Sequence, residues 1–274
     1  MMTKEISPEE TAQVASRSSR IKLREVSLAD QEVLIDPSRE PGEEAVTPTV
    51  ILTFTQPDYQ ALCRLLQARD LPRHIWGCAC RPGSWKGESL TVAAPAMGAP
   101  LAAMVLEKLI ALGARRVLVL GWCGSLSSQV RIGELILPSA AIPGDGTSPH
   151  YCPEPGDIPP HPGLYDLLAA NLPAAEVPWH AGPVWSTDAF YRETRQLVQS
   201  CQEQGILGID MELAALFAVG RFRGIAVAGL LVVSDELFAF AWQQAKGSQP
   251  FRLAREKALH VVLEIAAEAE GRDV

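Results

Sequence analysis

From Thr49 onward, short apolar runs alternate with segments of helical period. Val50–Leu52 reads as a strand and Tyr59–Arg69 as a helix, with strands over His74–Ala79 and Leu90–Ala94 next. Leu101, Met104, Val105 and Leu109 keep helical spacing, with Pro100 in the first turn and Gly113 as the stop. Val117–Leu120 is a continuous apolar run, as expected of a strand buried on both faces, and Glu134–Ile142 is a further strand. Val184–Ser186 ends another, and Glu193–Gln204 reads as a helix. Leu213, Leu216, Phe217 and Gly220 mark one face of the next helix, Ile225–Val233 is a buried strand, and Leu253–Ala267 is the closing helix. Strands alternating with helices predict an α/β fold layered around a largely parallel sheet.

Two stretches break the pattern. Residues 1–48 contain no aromatic residue, and Asp36–Pro48 has the composition of a linker, so 1–48 is expected to be a tail or an arm and 49–274 the folded domain. The Pro-rich loop Pro143–Pro162 exceeds the usual connection length, and long loops of this kind are often functional; His150 and Tyr151 lie in it.

A chain of 274 residues is long enough for a sizeable core. Its net charge of −8 argues against nucleic acid or an anionic membrane as the main partner. No apolar leader precedes the acidic start, and Leu213–Val233 is interrupted by Arg221 and Arg223, which fits a core helix and strand better than a membrane span. The six cysteines form no disulfide framework, and Cys78 and Cys80 lack the second pair a zinc site needs. Reduced cysteines point to the cytoplasm.

Three strands end in polar or glycine-rich segments: Gly121–Ser125, Ser186–Asp188 and Ser234–Asp235. In a parallel sheet such ends share one edge, where a ligand crevice is expected. Gly121 and Gly124 either make a turn or let the backbone approach an anion. Glu212 either caps the following helix or accepts hydroxyl hydrogen bonds from a sugar, with Met211 as an apolar contact or as plain core. Asp235 either caps a helix or acts as a buried general acid. Neither a dinucleotide-binding GxGxxG, a P-loop nor a GxSxG elbow is found in the sequence.

Four segments together resemble the nucleoside phosphorylase family, which includes uridine phosphorylase, purine nucleoside phosphorylase and the methylthioadenosine nucleosidases. They are PAMGAPLAAMVLEKLIALGARRVLVLGWCGSL, RIGELILPSAAIPGDGTSPHY, WSTDAFYRET and DMELAALFAVGRFRGIAVAGLLVVSDEL. The resemblance implies a three-layer α/β/α sandwich with a mixed, largely parallel sheet, a homo-oligomer (dimer or hexamer), and cleavage of a nucleoside's N-glycosidic bond. Phosphate is the nucleophile in the phosphorylases and water in the nucleosidases. Carried over by position, Met211 and Glu212 match the pair that grips ribose, and Asp210 precedes them. Cys123 and Gly124 line the nucleophile side, Phe190 packs near the base, and Ser234 and Asp235 match the strand end that meets it. An Asp at 235 tilts the base towards purine. The resemblance calls for no metal and no organic cofactor, with phosphate as a candidate co-substrate and a nucleoside or base as the small-molecule partner.

The departures lie upstream. The family's GDPxR loop corresponds to Thr55–Tyr59, so its glycine is Thr55 and its arginine Tyr59. A second phosphate-binding arginine corresponds to Val119, and the Thr or Ser after the turn's first glycine to Trp122. Each lost charge-assisted contact costs about 1.5–3 kcal/mol. Arg81 and Arg131 are candidate replacement cations, and Asp58 and Asp188 candidate bases for water. The expected function is therefore purine nucleoside cleavage with an altered phosphate site. The alternatives are a non-catalytic nucleoside-binding relative or a hydrolase using water.

Overall fold

In the computed structural model, the residues described are 33–69, 72–154 and 156–270, so the expected arm lies outside the described residues as far as residue 32. Asp36–Val274 forms one compact unit. Its ten-stranded sheet runs in the order β10-β9-β6-β7-β8-β5-β1-β4-β3-β2. The strands are β1 (Thr49–Thr53), β2 (Arg73–Ile75), β3 (Cys78–Trp85), β4 (Glu88–Ala94), β5 (Arg116–Ser125), β6 (Leu135–Gly144), β7 (Trp179–Thr187), β8 (Gly208–Asp210), β9 (Ala226–Glu236) and β10 (Gln243–Gln244). The helices are α1 (Gln56–Leu65), α2 (Ala99–Ala111), α3 (Pro162–Asn171), α4 (Arg195–Glu203), α5 (Leu213–Arg223) and α6 (Gln249–Glu270).

The α/β class holds and the sheet is mixed as expected, but it is not largely parallel: five ladders are parallel and five antiparallel. It also closes on itself in part. One edge of β9 pairs along β5, and its other edge reaches β6 at Leu231 and Val232. β6 continues to β7, and β8 bridges β7 back to β5. The ring β5-β9-β6-β7-β8 gathers several strand ends around one opening.

Strand side chains alternate between two cores, as the period of two requires. Val50, Leu52, Val117, Val119, Val227 and Leu231 pack with α2 and α5. Ile51, Leu118, Leu120, Ala228, Leu230 and Val232 pack with α1, α3 and α6. Helix α5 is buried from Leu213 to Gly220, so its apolar stripe has little contrast. It stops at Gly224, which takes the left-handed conformation at φ 66°.

Two local readings differ from expectation. The single strand over His74–Ala79 is a hairpin that turns at Trp76 and Gly77, both at positive φ. Asp36–Pro48 is tied to the body despite its linker-like composition: Glu43 pairs with Lys108 at 2.6 Å and Val46 N–H donates to Leu112 O at 3.0 Å. The long loop is also anchored. Asp145 accepts bonds from Thr147 N–H, Ser148 N–H and Ser148 Oγ, and Ala141 bridges to Ile158.

Candidate active site

At the mouth of the strand ring lies a cleft of about 140 Å³. Cys123 and Gly124 reach it from the end of β5, and Ser234 and Asp235 from the end of β9. Asp210, Met211 and Glu212 come from the junction of β8 and α5, and Phe190 from the single 3-10 turn after β7. The eight residues that the sequence assigned to catalysis and substrate binding therefore line one cleft. Phe54, Thr55, Met97, Trp122, Glu193 and Ile209 complete the lining. A larger hollow of about 440 Å³ beside Glu44, Arg69 and Arg73 has no such convergence of strand ends.

The two carboxylates that open α5 divide their work differently from the capping role considered for Glu212. Asp210 is the cap: Oδ2 accepts Glu212 N–H at 2.9 Å and Leu213 N–H at 2.7 Å, and Oδ1 accepts Ser186 Oγ–H at 2.6 Å. The Asp210 oxygens are thus occupied by the protein, although the residue borders the cleft. Glu212 stands at the N-cap position, but its side chain makes no capping bond. Its Oε1 accepts Gly98 N–H at 2.7 Å and its Oε2 accepts Met211 N–H at 3.3 Å. Each oxygen keeps a lone pair for a ligand. Gly98 stands at φ 87°, a backbone state that favours glycine, which lets its N–H meet the carboxylate.

Burial, and next the Asp210 carboxylate, push Glu212 up to about 8. Burial raises Asp210 as well, against three stabilising hydrogen bonds. Burial disfavours the charged form of both, and the stronger donors on Asp210 make it the better stabilised anion of the two.

Asp235 is half-buried. Ser234 Oγ donates to its Oδ1 at 2.6 Å and Trp242 Nε1 to its Oδ2 at 3.0 Å, while burial raises its pKa. Phe190 meets the same Trp242 edge-on, with ring centroids 5.6 Å apart. Trp242 escaped the sequence reading because nothing local says that β9 folds back onto β10. Cys123 is buried, and its thiol is pushed well above its usual range by burial, then by Asp235 and Asp210, so it remains a neutral thiol.

Gly121–Ser125, expected to be a turn with exposed N–H groups, is the end of β5, paired with β9 on one side and β8 on the other. Its glycines admit neighbours. A Cβ on Gly124 would lie 2.6 Å from Leu237 Cδ1 and 3.0 Å from Asp235 Oδ2.

A model of the phosphorylase superfamily matches residues 48–267. The chain belongs to this superfamily. Over 159 residues it is 33% identical to a guanosine phosphorylase of Halorubrum lacusprofundi, a match covering 57% of this chain and 65% of that protein. It is 29% identical over 208 residues to a DeoD-type purine nucleoside phosphorylase of Roseobacter denitrificans, covering 74% of this chain and 85% of the relative. The solved uridine phosphorylase of Vibrio fischeri superposes with a TM-score of 0.75 at 28% identity, covering 81% of this chain and 93% of that one.

The Thr55–Trp122 side of the cleft is closed by internal hydrogen bonds. Among the described residues that line the cleft there is no Lys, Arg or His. Arg131, a candidate cation, is taken by Glu236 in a two-pronged pair at 2.9 and 3.1 Å. Arg81 lies over the Tyr59 ring, away from the lining. The cation behind this wall is Arg255, which sequence reading missed because it sits on distant α6. Arg255 Nε and Nη2 donate to Asp58 Oδ1 at 2.9 and 2.6 Å. Thr55 Oγ1 and Trp122 Nε1 donate to Asp58 Oδ2 at 2.8 and 2.6 Å. Asp58 is 1% exposed with both oxygens occupied, which leaves it poorly placed to activate water. Asp188 accepts Gly146 N–H and does not line the cleft.

Proposed function

We propose that this protein cleaves the N-glycosidic bond of a purine nucleoside. The observation that carries the reading is the meeting, in one cleft, of a buried Glu212 with free acceptor capacity and a half-buried Asp235 of raised pKa. Glu212 accepts the ribose hydroxyls, and Met211 packs on the sugar. As the bond breaks the ribosyl group becomes cationic, and the ionised Glu212 stabilises that charge. Asp235, whose pKa burial raises, delivers a proton to the purine as it leaves, and Phe190 stacks near the base. The chain's own residues supply every one of these groups, so the reading needs no metal and no organic cofactor.

A second observation favours water over phosphate as the nucleophile. Asp58 fills the place of an anion beside Thr55 and Trp122 and neutralises Arg255. The wall where phosphate would bind is thereby satisfied internally. We further take the two helix sets on opposite sheet faces as the outer layers of an α/β/α sandwich. The working form in this reading is a cytoplasmic homo-oligomer, in keeping with six unpaired cysteines.

The variant Asp235→Asn keeps the shape of the side chain but removes the acid. Its kcat/KM on a purine nucleoside should fall by roughly 10²–10⁴-fold, with binding retained. Steady-state assays with wild-type-like turnover in this variant would overturn the acid role.

A further inference from the structure

We infer that Glu193 is a specificity-determining residue that accepts a hydrogen bond from an exocyclic amino group of the base. On this inference the protein favours aminopurine nucleosides over purines lacking that group. It rests on the nucleoside reading above and deepens it.

Glu193 follows the 3-10 turn Phe190–Arg192, and its N–H donates to Phe190 O at 3.4 Å. Side chains three apart in such a turn eclipse one another, so Phe190 and Glu193 share a face. Both line the cleft together with Asp235. Trp242 braces this end by touching Phe190 edge-on and donating to Asp235. The aromatic ring assigned to the base and the two carboxyls thus form one assembly.

Glu193 differs from the other carboxyls of the cleft. Asp210, Glu212 and Asp235 each accept at least two hydrogen bonds from the protein. No donor among the described residues reaches the carboxyl of half-buried Glu193. Burial, then the nearby Asp235, push it up to about 7, and no basic group offsets them. A desolvated carboxyl without a donor is costly, and a ligand that brings one recovers that cost. Among the described residues the cleft lining offers no cation, and a ligand that brings an N–H can supply the missing donor. With the ribose hydroxyls directed to Glu212, the donor left at the Phe190 end is an N–H of the base. A carboxyl accepts an amino N–H whether protonated or ionised, so the pairing survives titration near neutrality.

Calorimetric titration of the full chain with purine riboside, adenosine, guanosine and inosine tests this. Adenosine and guanosine place the amino group at different ring positions, so the two arms identify which one Glu193 meets. At least one of them should bind about tenfold or more tightly than purine riboside. Glu193→Leu should bring that ratio to near one. Glu193→Gln retains a carbonyl acceptor and should keep the preference. No amino preference in the wild type, or an undiminished one in Glu193→Leu, overturns the inference while leaving the nucleoside reading in place. Failure of every nucleoside to bind the wild type overturns both.

Discussion

Glu212→Gln should lower kcat/KM on a purine nucleoside by roughly 10²–10⁴-fold, the equivalent of two charge-assisted hydrogen bonds at about 1.5–3 kcal/mol each. The fold should survive, because the glutamine carbonyl can still accept Gly98 N–H, the 2.7 Å bond that seats the side chain. What disappears is the negative charge facing the developing ribosyl cation. The pH profile gives the same test in another form. With Glu212 pushed up to about 8 by burial and then by Asp210, its active, ionised fraction grows as pH rises through that value. The kcat/KM of the wild type should therefore climb on a limb near pH 8. In Glu212→Gln the rising limb should be absent. A loss below tenfold with the limb intact would remove Glu212 from the ribose site.

The second large effect is on stability. Asp58→Ala should lower the free energy of unfolding by about 3–5 kcal/mol, because it strips the carboxylate that, among the described residues, pairs with the Arg255 guanidinium. Arg255 is 20% exposed at its side chain and lies over the Trp122 and Phe251 rings, which themselves meet edge-on with centroids 5.0 Å apart. The deletion unpairs Arg255 and also leaves Trp122 Nε1 without its acceptor at 2.6 Å. Denaturant unfolding measures the change. Adding Arg255→Met to Asp58→Ala should restore part of the loss, since the unpaired charge is then gone. An unchanged midpoint in Asp58→Ala would mean that the pair contributes nothing.

Much of the site was legible in the sequence for a physical reason. Strand ends and helix starts are local features, and Met211, Glu212, Ser234 and Asp235 each sit at one. The eight residues picked out there do line a common cleft. What the chain conceals is who partners whom. Asp210 and Glu212 are two residues apart and equally acidic, yet Ser186, from the end of β7, helps make one a cap and leaves the other facing the cleft. Gly121–Ser125 reads as a turn because two glycines flank a short segment, but pairing with β8 and β9 keeps it extended. Strand β8 is three residues long, too short to show a period, and without it the ring does not close. Arg255, Trp242 and Glu193 gain their meaning from neighbours far away in the chain or across a tight return. No local pattern marks them.

Incubation with purine nucleosides in phosphate-free buffer, followed by chromatography of the free base, tests the central claim most directly. Free purine should be released without added phosphate, and uridine should remain intact. The claim would be contradicted if no purine nucleoside lost its base, with or without phosphate.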